Sequence, residues 1–314
     1  MDETIIIGSG MTGITCARSL ANAGQPVRVL DKGRRVGGRM ATRHVTMASG
    51  DLAFDHGAPY LRPSDPEFAQ ILARAGARPW PDGPDQGRQV GVPGMSGVAL
   101  ALADGLDVMQ QTEVTGLRWH DHAWHVDTSA GVTRAGRVIL TIPAPQVTAL
   151  LGATHPFHAD LARVVMVPCL TLMAAFPADS PRPFTSRSDP SHPLAWIAQD
   201  TTKPGRAGAA VTWVAQASVA FSGEQLDAGP DDIAAHMLPL LADVLRVDPA
   251  RALCARAHRW RHAQVGTPLG QPFLRARDRT LYAGGDWCLG PRAEDAWQSG
   301  RAIARDILDG DHVD

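Results

Sequence analysis

TIIIGSGMTGITCARSLANAGQPVRVLD, from Thr4 to Asp31, decides the fold. An apolar run over Thr4–Ile7 reads as a buried strand, glycines follow at 8, 10 and 13, and an apolar-periodic helix opens at Met11 and Thr12 and continues to about Ala23. Gly24 suits the left-handed helix cap, and Val27–Leu30 reads as a second strand ending at Asp31. The spacing has a physical reason. Gly8 permits the tight turn, Gly10 lets a pyrophosphate approach the backbone, and Gly13 lets the helix pack against the strand, while the first helical N–H groups point at the phosphates. Asp31 is then placed to accept hydrogen bonds from a ribose. The order strand, glycines, helix, strand and terminal acid predicts a Rossmann-like βαβ unit that binds a dinucleotide.

The rest of the chain narrows the function. It has 314 residues, 44% of them hydrophobic, enough for one large core or two moderate ones, and two lobes are expected. A net charge of -2, with charges spread along the chain, argues against a nucleic-acid partner. The longest apolar run, Val164–Phe176, is shorter than the roughly 18 residues of a membrane span and contains a proline, so no membrane partner is expected. The N-terminal residues carry no signal pattern, and a cytoplasmic protein is expected. Cys16, Cys169, Cys254 and Cys288 lack metal or disulfide spacing, so no metal site is expected. Lys32 and Lys203 are the only lysines.

Past the second strand comes DKGRRVGGRMATR, Asp31–Arg43, with Gly37 and Gly38 followed by Arg39. Bare backbone allows close approach to a diphosphate, and a guanidinium can fork onto its oxygens. A glycine unit, a terminal acid and then GGR resemble the flavin-binding domain of the amine oxidase superfamily. The resemblance implies FAD, held noncovalently, with Arg39 completing neutralisation of the pyrophosphate and Lys32 at the adenine end. It also implies that the LYAGGDWCLGPRAEDAWQSG segment from Leu281 supplies Asp286 to a ribityl hydroxyl. The helix after Pro291 would then aim the N–H groups of Ala296 and Trp297 at the flavin's pyrimidine edge, where the helix dipole favours negative charge. The backbone at Val114 would meet the adenine.

The fold class implied is α/β: a Rossmann-like FAD-binding domain with a second, substrate domain of mixed sheet plus helices, as in amine oxidases and p-hydroxybenzoate hydroxylase. The cofactor lobe is assigned to residues 1–60, 94–155 and 268–314, and the substrate lobe to 61–93 and 156–267. Loops such as PWPDGPDQG and TTKPGRAG alternate with apolar strands in the second lobe. A stripe of Ile233, Met237, Leu240, Leu241 and Val244 within Asp231–Leu245 predicts a core helix. Hairpin strands are expected over Glu113–His120 and Ala123–Thr128, and a strand over Arg137–Ile142.

More specifically, DKGRRVGGRMATR, DHGAPYL, PGMSGVALALA, LAWIAQDTTKPGR, VTWVAQASVAFSGEQL, HRWRHAQ and GDWCLGPRAEDAWQSG resemble the bacterial branch of the renalases, in order along nearly the whole chain. That resemblance implies oxidation of 2- and 6-dihydro isomers of NAD(P) to NAD(P)+, with electrons passed to O2 as hydrogen peroxide. The competing expectation is a flavin amine oxidase or related desaturase, and a third is a flavin-binding protein without turnover. Amine oxidation generally uses an aromatic cage and often a lysine near the flavin, yet Tyr60 and Tyr282 are the sole tyrosines and Leu289 occupies the cage position. A dihydropyridine is already a hydride donor and needs no base, only stacking and orientation. The catalytic face is assigned to His56, Tyr60 and Trp196, with substrate contacts from Gly57, Ala58 and Ser96 and cationic contacts from Arg187, Arg206 and Arg292. Trp196, Trp213 and Trp260 concentrate aromatic surface in the second lobe, either as core or as pocket wall.

Overall fold

The computed structural model describes residues 3–47, 50–80, 87–206 and 208–311, so residues 81–86 of the PWPDGPDQG loop and Ala207 of TTKPGRAG lie outside the described residues. The chain starts with β1 (Thr4–Ile7), α1 (Met11–Asn22) and β2 (Val27–Leu30), followed by a hairpin of β3 (Thr42–Met47) and β4 (Gly50–Asp55). Next come α2 (Pro66–Arg74), the short strands β5 (Arg78–Pro79) and β6 (Gln89–Val90), α3 (Met95–Ala103) and β7 (Val108–Met109). An antiparallel trio, β8 (Val114–His120), β9 (Ala123–Thr128) and β10 (Gly131–Ala135), leads into β11 (Arg137–Leu140), α4 (Ala144–Leu151) and α5 (His158–Leu161). The second half holds β12 (Val165–Pro177), β13 (Ser186–Ser188), β14 (Trp196–Gln199), β15 (Ala210–Gln216), α6 (Val219–Glu224), α7 (Pro230–Leu245) and β16 (Cys254–Thr267). The chain closes with β17 (Leu274–Arg275), β18 (Leu281–Ala283) and α8 (Ala293–Asp311).

Two sheets organise these elements. The first runs β17-β18-β11-β1-β2-β7, with β1 paired in parallel to both β2 and β11. A strand flanked on both edges and covered on both faces has no polar side, and all four residues of β1 are buried. α1 and α8 pack against each other there. Gly300 makes this possible, because a β-carbon would collide with the Thr12 carbonyl, and Thr12 Oγ1 donates to the Ala296 carbonyl at 2.9 Å. The end of the chain is thereby fixed against the glycine-rich turn at its beginning.

The second sheet runs β13-β14-β15-β12-β16 and is antiparallel. α7 covers one face with Ile233, Met237 and Leu241, fully buried against Leu170, Leu172, Trp213 and Ala215, while Leu240 and Val244 pack at its margin. Pro230 and the acids Asp231 and Asp232 suit the first turn of a helix, whose free N–H groups favour negative charge. The other face of this sheet and its edge reach the first lobe. The mixed α/β architecture, a Rossmann-like unit plus an amine-oxidase-type second unit, is the one the sequence implied.

The local expectations hold at β1, α1 and β2 and at the α7 stripe. Gly24 takes φ +78° after α1. The β3–β4 hairpin was not anticipated, because HVTMASGDLAF lacks clean alternation; its pairing is fixed by register from Thr42↔Asp55 to Met47↔Gly50. β10 was likewise not anticipated, and it extends the expected β8–β9 hairpin.

Candidate active site

A cleft of about 1710 Å³ runs between the two sheets, from the glycine-rich turn to the second-lobe wall. At its dinucleotide end the backbone does the work. Gly8 holds φ +109° while its N–H donates to Leu30 O at 2.8 Å, turning the chain sharply out of β1. Gly13 is closed to any side chain, because a β-carbon would strike the Gly8 carbonyl. Gly10 is different: a β-carbon there meets nothing and would project into open space at the cleft. Gly10 is also the N-cap of α1 with no side chain capping it and no acid in the first turn, so the N–H groups of Met11 and Thr12 are left for an anion.

Asp31 stands beside this turn. One carboxylate oxygen accepts from the Ser9 N–H at 2.6 Å and the Ser9 hydroxyl at 2.8 Å, and the other from the Gly33 N–H. Lys32 is exposed and pairs with Glu113 at 3.7 Å, next to Val114 at the cleft edge. Gly37 and Gly38 have φ +109° and +52°, and the β-carbon position of Gly38 lies 3.6 Å from the Gly10 Cα, so the two glycine loops face each other. Arg39 forks onto Asp286, at 2.6 and 2.7 Å, and donates to Ala263 O. Two residues 247 apart in sequence, each expected to touch the cofactor, thus meet at the cleft.

The opposite wall is built from side chains. His56, Gly57, Ala58 and Tyr60 line the cleft with Trp196, Gln216, His258 and Trp260 of the second sheet. The loop is gripped from both lobes. Ala58 N–H donates to Arg39 O, Trp260 Nε1 donates to His56 O at 2.8 Å, and Gln216 Nε2 donates to Gly57 O at 2.7 Å. Gly57 is required, since a β-carbon would collide with the Arg39 carbonyl. His56 meets His258 edge-on at 4.8 Å between ring centres and Trp260 at 5.3 Å. Burial, then the neighbouring His258 and Arg43, push the His56 imidazole down to about 4. His258 is lowered by burial and by Arg43 and Arg259, so both rings are neutral at pH 7. Tyr60 and Trp196 form a tilted pair at 6.2 Å, with the Arg88 guanidinium 4.5 Å from the Tyr60 ring centre.

Some assigned residues lie elsewhere. Ser96 sits in the first turn of α3, its N–H donating to Thr42 Oγ1, and Arg187 is on strand β13 paired with Asp189; neither is among the cleft-lining residues. Arg206 is corrected outright. It is buried against Asp55 and Asp200, where Lys203 also pairs with both carboxylates, at 2.8 and 2.6 Å. Burial alone would raise the Asp55 carboxyl, and Lys203 and Arg206 reverse this and hold it at about 2. A side chain as long as arginine, set in a polar loop, reads as solvated; its burial depends on Asp55, far off in sequence. Arg292 does line the cleft, bonded to Ser64 Oγ and paired with Glu294 and Asp295. Glu294 is itself capped by the Ser64 and Asp65 N–H groups. Trp260 and Trp196 are wall, whereas Trp213 is core. His258, Gln216 and Arg43 were missed as individual site residues, although the stretches that hold them, HRWRHAQ, VTWVAQASVAFSGEQL and DKGRRVGGRMATR, stood out.

Residues 6–75 match an NAD(P)-binding Rossmann-like domain, and residues 84–308 match the flavin containing amine oxidoreductases. The chain belongs to the flavin containing amine oxidoreductase family. Among proteins it resembles, (S)-6-hydroxynicotine oxidase of Paenarthrobacter nicotinovorans is 39% identical over 77 residues, which is 24% of this chain and 18% of that relative. A double mutant of putrescine oxidase redesigned in its cofactor binding superposes with TM-score 0.73 at 14% identity, covering 98% of this chain and 99% of that one. Cyclohexylamine oxidase from Brevibacterium oxydans IH-35A gives 0.72 at 13%, over 98% and 99%. At such identities the likeness is one of fold. FAD is the cofactor of this oxidoreductase, and the residues present suit it through an open Gly10 cradle and uncapped α1 N–H groups. At the start of α8 the expectation is corrected: Ala296 lines the cleft, but its N–H already donates to Arg292 O at 3.2 Å, and Trp297 is buried behind the lining. Cys288 is fully buried with its thiol pushed up to about 12 by burial, and it is absent from the described cleft lining.

Proposed function

We propose that the protein oxidises 2- or 6-dihydro isomers of NAD(P) to NAD(P)+, as the renalases it resembles do, giving hydrogen peroxide from O2. The observation that carries the reading is charge. Among the described residues lining the cleft, nine arginines and lysines stand against four carboxylates, in a chain whose net charge is -2. The FAD diphosphate takes up about two positive charges, and a surplus remains for a second anionic ligand. A cleft of about 1710 Å³ also exceeds the roughly 300–1,000 Å³ usual for one ligand, leaving room for a second dinucleotide. An alkylamine, protonated at neutral pH like the lysine side chain, would enter against this field, whereas a dinucleotide is steered into it.

When bound, the flavin supplies a two-electron acceptor that hands its electrons to O2. Atoms balance as one dihydro-dinucleotide, one O2 and one proton giving NAD(P)+ and hydrogen peroxide. The protein's share is positioning. Tyr60, Trp196 and Trp260 offer flat surfaces for a planar ring, and the clamped His56–Ala58 loop fixes the wall against which it stacks. His56 and His258, both neutral, do not compete for a proton from a donor whose aromatisation drives hydride loss. No lysine joins them, since Lys203 is buried in its ion cluster and Lys32 stands by Glu113. Division into a cofactor lobe (1–60, 94–155, 268–314) and a substrate lobe (61–93, 156–267), noncovalent FAD and a cytoplasmic setting complete the reading, the last two supported by buried, free Cys16, Cys169 and Cys288.

Amine oxidation is the second reading, favoured by the tilted Tyr60–Trp196 pair, which could flank a small amine, and by the fold shared with amine oxidases. Anaerobic mixing separates the two. Rapid flavin bleaching by 2- or 6-dihydro-NAD(P), with little by putrescine, other primary amines or 4-dihydro-NADH, is expected; bleaching by an amine and by none of the dihydro isomers would overturn the proposal.

A further inference from the structure

The cleft's basic side chains are not equally free. Arg39 is committed to Asp286, Arg261 to Asp227, Arg292 to Glu294 and Asp295, and Arg259 to the carbonyls of Leu226 and Ala228. Arg43 lines the same cleft, and among the described residues its side chain makes no hydrogen bond or ion pair. Strand pairing explains its direction: in the Thr42↔Asp55, Arg43↔Phe54 register, Thr42 turns inward to bond Asp55, so its neighbour Arg43 projects to the other face. Beside it stand His56 and His258. His56 is 5% exposed, and its Nδ1 is buried without a hydrogen-bond partner among the described residues.

Resting on the function proposed above, we propose that Arg43, with the His56–His258 pair beside it, forms a diphosphate subsite that anchors the substrate dinucleotide while its ring lies against the Tyr60–Trp196 wall. The chemistry is specific to an oxyanion. A free guanidinium presents a planar fork of donors, and the two neutral imidazoles can each offer an N–H without adding a charge that would have to be desolvated. The subsite shares no residue with the cofactor's own diphosphate cradle at Gly10 and Gly38. It is built from β3, the residue after β4 and β16, outside the glycine-rich motif. The consequence is selectivity: the site would prefer a phosphate-bearing dihydropyridine to the bare dihydronicotinamide riboside, because only the former reaches Arg43.

The test uses the FAD-loaded protein, its cofactor cradle already filled, and reads inorganic pyrophosphate binding as a perturbation of the flavin absorbance spectrum. Arg43→Gln is expected to weaken pyrophosphate binding on the order of tenfold or more, and to narrow the preference for dihydro-NAD over the riboside by a similar factor. Arg43→Lys should recover part of both, and Arg163→Gln, at an exposed position after α5 that is not among the cleft-lining residues, neither. Pyrophosphate binding that is absent in the wild type, or equal in Arg43→Gln, would overturn the subsite. So would loss of FAD from Arg43→Gln, which would assign Arg43 to the cofactor. If no dihydropyridine reduces the wild-type flavin, the functional reading falls on its own, and the pyrophosphate titration still decides the subsite.

Discussion

The two ends of the cleft are made of different material. At the glycine-rich end the binding surface is backbone: N–H groups of the α1 terminus and carbon-free positions at Gly10 and Gly38. At the far end it is side chain: Tyr60, Trp196, Trp260, two histidines and Arg43, carried on the β3–β4 hairpin, the loop after it and the second sheet. A backbone site tolerates almost no added atom but is indifferent to side-chain chemistry. A side-chain site can exchange one group for another and thereby change what it selects, which is how one fold can serve several substrates.

The comparison is sharpest at the glycine pair. Gly38→Val is expected to abolish FAD retention, since φ +52° strains a β-branched residue and its side chain would fill the gap to the Gly10 loop. Flavin-to-protein ratio after gel filtration checks this, and full occupancy would show that the two loops do not cradle the cofactor.

Next in size is the ion cluster under the far wall. Lys203→Met should destabilise the protein by about 3–5 kcal/mol, because it leaves two buried carboxylates facing one arginine. Denaturant unfolding measures it, and a loss below about 1 kcal/mol would mean that the cluster is hydrated.

His56 gives a pH-dependent effect. Its folded value, about 4, lies below the ordinary 6.5, so the unfolded chain binds the extra proton in that window. The stability it contributes is whole above pH 6.5 and is lost as pH falls toward 4, by at most about 3 kcal/mol. His56→Gln should flatten the stability profile between those limits, and an unchanged slope would place the titration on other groups.

The smallest effect returns to the cofactor end. Arg39→Ala should cost about 2 kcal/mol of FAD affinity, by loss of one charge-assisted contact and by release of Asp286. Equilibrium titration of apoprotein with FAD reports it.

The same contrast explains what could be read from the sequence. Gly8, Gly10, Gly13 and Asp31 are legible because a turn of that shape demands those residues at that spacing, and every contact is local. Gly37, Gly38, Asp286 and Ala296 line the cleft, and only the resemblance pointed to them, since their meeting depends on a chain reversal from one end of the sequence to the other; the same resemblance named Trp297, which is buried behind the lining. The far wall was half legible. His56, Gly57, Ala58, Tyr60 and Trp196 reach the cleft, whereas Arg206, Arg187 and Ser96 do not, because an arginine in a polar loop looks the same whether it faces solvent, a ligand or a buried acid. The direction of Arg43 is set by a hairpin register that HVTMASGDLAF does not announce.

The buried cluster of Asp55, Asp200, Lys203 and Arg206 also bears on the order in which the molecule assembles. Its bond from Lys203 to Asp55 spans 148 positions of chain. Such a contact can close only after the segments on either side have taken shape, because ordering so long a loop early carries an entropy cost with little to offset it. A contact formed late acts chiefly on the way out: it slows unfolding and hardly alters folding. The lock that ties the end of the β3–β4 hairpin to the segment between β14 and β15 is thus a device of persistence, and Lys203→Met should reveal itself as a steeper escape from the native state at a nearly unchanged rate of return.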